Sequence, residues 1–233
     1  MNVQKDGGLL LTSKDEMRIT KKKIIDASWD LLRDEGIEGF TMRKLAEKIN
    51  VRAASLYYHF KSKQSIFQVL ADQVAKETLI STSNEGSWKE QLHQFALNLH
   101  KHLKEFPCSA QLLMQTVPLE HNYLSLINYL LNIIDQVPIS DQKKFSSVIC
   151  LLNYVISFEV DLYEQNKVNK IMEKEGQDTR ELFRQSIENL QSVNKNVLQR
   201  IHQNQFLSEM GSEQMFQTGL TILILGIEQL AKE

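Results

Sequence analysis

The 233 residues contain 27 Lys/Arg and 29 Asp/Glu, with 42% hydrophobic and 24% charged side chains, 9 glycines and 3 prolines. That balance excludes a disordered, collagen-like or low-complexity chain and points to a globular, helix-rich protein with one large domain and a smaller one attached. Cys108 and Cys150 stand far apart without CxxC or CxxH spacing, which argues against a disulfide framework or zinc site and fits a reducing, cytoplasmic location.

Residues 1–16 place a three-leucine patch beside Asp6, Asp15 and Glu16, the pattern expected of a flexible tail and not of a secretory signal. From Met17 to Lys63 there are 11 Lys/Arg against 6 Asp/Glu, a net of +5 in a chain whose total is -2. A polyanion can therefore be met by one end of the molecule while the remainder stays acidic. Thr20 is placed to cap a first helix carrying Ile24, Ile25, Leu31 and Leu32 at helical spacing and ending at Glu35-Gly36. Thr41 caps a short second helix with Met42, Leu45, Ala46 and Ile49 on one stripe. Asn50-Val51-Arg52 interrupts it, and a third helix runs from Ala53 to Phe60. Two short amphipathic helices joined this tightly are a helix-turn-helix signature.

Ser62 opens a long fourth helix with Ile66, Val69, Leu70 and Val74 on its apolar side. After the linker at residues 83–86, Ser87 and Glu90 have capping-box spacing ahead of Leu92, Phe95, Ala96, Leu99 and Leu103. Pro107, Pro118 and Pro138 divide the next stretch of chain into helical pieces. A long helix is expected from Ser140 to about Asn166, a loop over 167–179, a thinly apolar helix from Glu181 to about Gln203, and a last helix from Ser212. The apolar run ILIL at residues 222–225 falls far below the ~20 residues that cross a bilayer, so no membrane partner is expected. The fold class is all-α.

The run ITKKKIIDASWDLLRDEGIEGFTMRKLAEKINVRAASLYYHFKSKQSIFQVLADQV resembles the N-terminal DNA-binding domain of the TetR family of transcriptional repressors. The GIEGFTMRKLAEKINV and SLYYHFKSK blocks carry the likeness. SWKEQL, TVP and FQTGLTILILGIEQLAK resemble the C-terminal ligand-binding and dimerising domain of the tetracycline repressors. The implied division is a helix-turn-helix DNA-binding domain at 17–63 and a larger helical effector-binding and dimerisation domain at 64–233.

On the third helix, Leu56 and Phe60 at i and i+4 can face a three-helix core and leave the alanines and tyrosines on another face. Small residues at the leading end of a recognition helix let its backbone approach base edges, and their methyls can touch thymine. By resemblance, Arg43, Ala53, Ala54, Ser55, Tyr57, Tyr58 and His59 meet the operator, while Thr41 and Lys63 contact its phosphates. The other possibility for Tyr57 and Tyr58 is packing against the first or fourth helix.

One such domain makes few base contacts, so two copies on a palindromic operator are expected, with the homodimer formed by the helices at 140–166 and 212–232. The resemblance places Leu79, Phe95, Leu99, Leu113, Thr116, Tyr154 and Tyr163 around an effector pocket. Several of these positions hold His, Asn and Glu types in the tetracycline repressors, where they grip the drug and its magnesium ion. Leu79, Phe95, Leu113 and Tyr163 cannot ligate a metal in that way, so neither cofactor nor metal is expected, and the effector, of unknown identity, should be small and largely apolar. His93, His100 and His102 are read as exposed or rim residues and not as a metal site. No HExxH, GxSxG, GxGxxG or P-loop supports an enzyme. A regulator whose helical domain meets a protein partner is the alternative, left open by the polar 167–203 segment.

Overall fold

The computed structural model describes residues 19–189, 195–203 and 211–232. The expected tail at 1–16 and most of the Asn/Gln-rich stretch before Gly211 lie outside the described residues. Everything regular within them is helical, and the chain forms two compact units, Met1–Ile66 and Phe67–Glu233.

The first unit holds α1 (Lys21–Gly39), α2 (Met42–Lys48), α3 (Ala53–His59) and the start of α4 (Lys63–Ile80). Thr20 caps α1 by accepting a hydrogen bond from Lys23 N. The break expected at Glu35-Gly36 is present as a kink, because Gly36 sits at φ 67, where a side chain would be strained, and helical backbone resumes for one more turn. Ile24, Ile25, Leu31, Leu32, Phe40, Leu45, Ala46 and Leu56 close the core between these short helices. Each buried aliphatic side chain contributes roughly 1.5–3 kcal/mol, which is how helices of seven residues persist.

The second unit contains the rest of α4, α5 (Trp88–Glu105), α6 (Ser109–Gln115), α7 (His121–Asp135), α8 (Asp141–Lys174), α9 (Thr179–Glu188), α10 (Lys195–Gln203) and α11 (Glu213–Leu230). The capping box forms as its spacing predicts: Glu90 N donates to Ser87 Oγ at 3.4 Å and Ser87 N donates to Glu90 Oε2 at 2.7 Å. The core centres on α5 and α8, which pack on each other and on α6, α7 and α11. α8 is, among the described residues, the one helix long and apolar enough to cross a membrane by length and composition. Its apolar residues Val148, Leu151, Leu152, Val155 and Ile156 are buried in the helical core.

Two expectations need correction. Most of the segment expected to be a loop at 167–179 is helical: KVNKIMEK contains good helix formers and no breaker, so α8 runs to Lys174. It ends in a Schellman turn, with Gly176 N donating to Glu173 O, Gln177 N donating to Met172 O, and Gly176 at φ 75. The single helix expected from Glu181 to Gln203 is two. α9 starts earlier because Asp178 accepts from Arg180 N and Glu181 N, and it stops at the C-cap Asn189.

Candidate nucleic-acid interface

α2 is held at its start by Thr41, whose Oγ1 accepts from Lys44 N at 3.1 Å and keeps its own proton free to donate. Its end is a second Schellman turn: Asn50 N donates to Glu47 O at 3.1 Å and Val51 N to Ala46 O at 2.9 Å, with Asn50 at φ 54. Asparagine tolerates this left-handed conformation, so the three residues after α2 redirect the chain without a glycine. Arg52 is the N-cap of α3 and is exposed.

Leu56 is fully buried and Phe60 is 5% exposed, and these two anchors decide which side of α3 faces water. Tyr57 and Tyr58 are then 51% and 88% exposed, which rules out their packing into the core. Ala54 is also exposed, and Ala53, Ser55 and His59 are half-buried. The His59 ring meets the Tyr58 ring edge-on at 5.2 Å. The outward side of α3 thus has a small leading end with two phenols behind it, while Thr41 and Arg43 are exposed on α2.

The cations around this surface are not equivalent. Arg43 lies 2.9 Å from Glu47 at 88% side-chain exposure, and that hydrogen bond raises its pKa. Lys63, expected on a phosphate, turns inward: its ammonium donates to Ile37 O at 3.1 Å and sits 5.9 Å from the Phe40 ring centre. Burial pushes the Lys63 pKa down. The sequence analysis assigns Arg52 no contact, although a cation immediately before the third helix, next to two alanines, marks it as a candidate.

The residues expected around an effector pocket fall into two groups. Phe95, Leu99, Leu113 and Thr116 are buried on and just beyond α5 and α6, and Leu79 is half-buried on α4. Tyr154 instead donates to Phe216 O at 2.8 Å, stacks on the Phe216 ring and lines a groove of about 450 Å³ between α8 and α11. Tyr163 is 40% exposed and lies beside Cys108, and burial of its remaining surface raises its pKa. A groove of about 700 Å³ on the α8 and α11 surface is lined in part by Cys150, Ile222, Leu223, Ile227 and Leu230.

The histidines also need correction, since His100 is 4% exposed. It stacks on Phe216 at 3.9 Å, and its Nε2 lies 2.7 Å from Lys104 Nζ and 3.2 Å from Glu213 Oε2. Its Nδ1 is 2.6 Å from Glu159 Oε1, out of line for a hydrogen bond. Position 100 lies one turn beyond Ala96 and three before Leu103, on the apolar stripe, and that spacing could have marked it. Asp72 escaped notice altogether. Its carboxylate accepts from Asn122 N at 2.7 Å, Tyr123 N at 2.9 Å and Asn122 Nδ2 at 2.6 Å, capping α7 from α4 while the α7 N-cap, Glu120, makes no side-chain capping bond.

A capped short helix, a Schellman turn and a second short helix presenting aromatics to solvent define a helix-turn-helix protein. Residues 24–70 match the family described as bacterial regulatory proteins, tetR family, and residues 81–231 match the tetracyclin repressor-like C-terminal domain. The chain belongs to the TetR family of transcription regulators. It is 32% identical over 108 residues to tetracycline repressor protein class D of Escherichia coli, which is 46% of this chain and 50% of that protein. The chain spans about half the length of the curated relatives it matches. Among solved structures, the Streptomyces coelicolor TetR family protein ActR in complex with actinorhodin superposes with a TM-score of 0.75 at 21% identity, covering 93% of this chain and all of that one (100%). BioQ with its double-stranded DNA operator gives 0.61 at 21%, covering 90% of this chain and 98% of that one. At these identities the structural likeness is one of fold.

Proposed function

We propose that this protein is a homodimeric repressor that holds a palindromic operator through two copies of α3 and leaves it when a small, largely apolar effector binds the helical domain. The observation that carries the DNA reading is α3 itself, where buried Leu56 and Phe60 force Tyr57, Tyr58 and Ala54 outward beside Arg52. Ala53, Ala54, Ser55 and Arg52 lead into the major groove. Tyr57, Tyr58 and His59 come behind them with flat surface and hydrogen-bonding groups, and Thr41 and Arg43 approach from α2. BioQ bound to its operator has the same fold.

Dimerisation is supported by apolar surface on α8 and α11 that the monomer leaves open, with Phe145, Ile222 and Leu225 all more than half exposed. Effector binding is supported by the fold shared with ActR in complex with actinorhodin and by the apolar character of Phe95, Leu99 and Leu113. Nearly complete switching needs about 5.5 kcal/mol of differential effector binding, which favours a buried site. Selection of bound duplexes from a random pool tests the DNA reading and returns operator, symmetry and spacing together. Absence of salt-sensitive binding to any duplex would sink it.

A second reading, control by a protein partner, draws on Val168, Ile171, Leu182 and Phe183, apolar residues 39–52% exposed on α8 and α9. Replacing them with polar residues abolishes regulation if a partner docks there and leaves it intact if a small molecule is the signal.

A further inference from the structure

Among the described residues, the cations of the helix-turn-helix unit differ in their partners: Arg52, exposed at the start of α3, is assigned above to the groove. Four are tied to carboxylates of the same unit: Arg33 to Asp30, Arg43 to Glu47, Lys44 to Glu35 and Lys48 to Asp34, each within 2.9 Å. A phosphate approaching one of these must compete with the carboxylate already there, and Lys63 is turned to the Ile37 carbonyl. Lys21, Lys22, Lys23 and Lys61 are exposed, and none forms an ion pair among the described residues.

The first turn of α1, which carries three of these lysines, lies against the end of α3, just before the fourth. Lys21 Nζ lies 5.9 Å from the ring centre of Phe60, the C-cap of α3, and Lys61 is the next residue along the chain. The first turn of α1 and the trailing end of α3 thus share one edge of the unit. Three lysines in the first turn of a helix do not serve the helix: each opposes the macrodipole, and neighbouring like charges repel. Their exposure also removes any packing role for Lys22 and Lys23. An external polyanion offsets both penalties.

We infer that Lys21, Lys22, Lys23 and Lys61 form a phosphate-binding patch at the trailing end of α3, and that this patch, in place of Lys63, supplies most of the counter-ion release on binding duplex DNA. The inference rests on the DNA reading above. It predicts which charges set affinity without setting sequence preference, because phosphate contacts position the helix and carry no base information.

The test is the salt dependence of affinity for the selected operator, measured by fluorescence anisotropy from about 50 to 200 mM salt. Lys21 keeps its contact with Phe60, so the variant is Lys22→Ala/Lys23→Ala/Lys61→Ala, with Lys63→Ala alone as the comparison. Each lost phosphate contact lowers the log–log slope by ~0.9, so the triple variant should lose about 2–3 units, with an unchanged sequence preference in pool selection. Lys63→Ala should change the slope by less than about 0.5, whatever it does to thermal stability. A loss below about 1 unit in the triple variant, or of about 1 in Lys63→Ala, overturns the assignment while wild-type binding leaves the DNA reading standing. A wild-type protein without salt-dependent binding overturns both.

Discussion

Asp72 offers the sharpest test of how the second unit is held together. Its carboxylate receives two backbone donors from the first turn of α7 and one side-chain donor, at 2.6–2.9 Å. Asp72→Ala removes all three and leaves the α7 amides of Asn122 and Tyr123 without a cap. Hydrogen bonds to a charged group are each worth ~1.5–3 kcal/mol, and loss of a capping residue costs ~1. Asp72 is half-buried, so water recovers part of this, and a net loss of about 2–4 kcal/mol is expected. For a unit of this size that corresponds to a fall in Tm of about 5–15 °C. Asp72→Asn keeps one acceptor and a side chain of equal capping rank but no charge, so it should lose only about 1 kcal/mol. Urea unfolding monitored by circular dichroism gives the stabilities, and hydrogen exchange at Asn122 and Tyr123 localises the effect. The cap from α4 would be refuted by an Asp72→Ala protein within about 0.5 kcal/mol of wild type, or by unchanged protection of those two amides.

Single contacts elsewhere carry further expectations. Gly219 faces the Tyr154 ring so closely that an added Cβ would stand 2.6 Å from Cζ, so Gly219→Ala should destabilise by ~1–3 kcal/mol, and the Tyr154→Ala background should relieve most of that in thermal melts. Arg52→Ala should relax operator preference at one position by ~1–3 kcal/mol in pool selection, whereas an unchanged consensus would remove Arg52 from the groove. Hydrogen bonds from Arg184 and then Gln185 depress the Glu181 pKa to about 2. A depressed carboxylate contributes stability that is present above its unfolded pKa of ~4.3 and lost as pH falls through about 2. Carboxyl NMR should therefore show Glu181 still titrating below pH ~4, and a midpoint near 4.3 would contradict the pairing. Tetracycline with magnesium should show no tight binding by fluorescence, since Leu79, Phe95, Leu113 and Tyr163 offer no ligands of the kind that grip the ion.

The helix-turn-helix was legible because its determinants are local. Thr20, Thr41, Ser87, Ser140 and Ser212 each accept from the backbone amide three residues on, as their spacing predicts. Leu56 and Phe60 one turn apart fix which face of α3 is wet. Where the sequence misled, the error was one of weighting local signals: a polar composition after Asn166 suggests a loop, although KVNKIMEK contains no helix breaker before Gly176.

Long-range partners were not legible, because side-chain pairing across distant segments depends on how helices pack. The sequence places Lys63 on a phosphate and assigns Arg52 no contact, yet Lys63 is turned to Ile37, 26 residues away, and Arg52 remains in water. His100 is buried because Phe216 and Glu159 arrive from α11 and α8, and Asp72 caps a helix that begins some 50 residues downstream. The linear chain thus determined helix positions, caps and the outward face of α3 through contacts within four residues. The folded molecule alone decided which charges are paired, which polar groups are buried and which lysines remain available to an anion, since those depend on proximity between segments that periodicity does not encode.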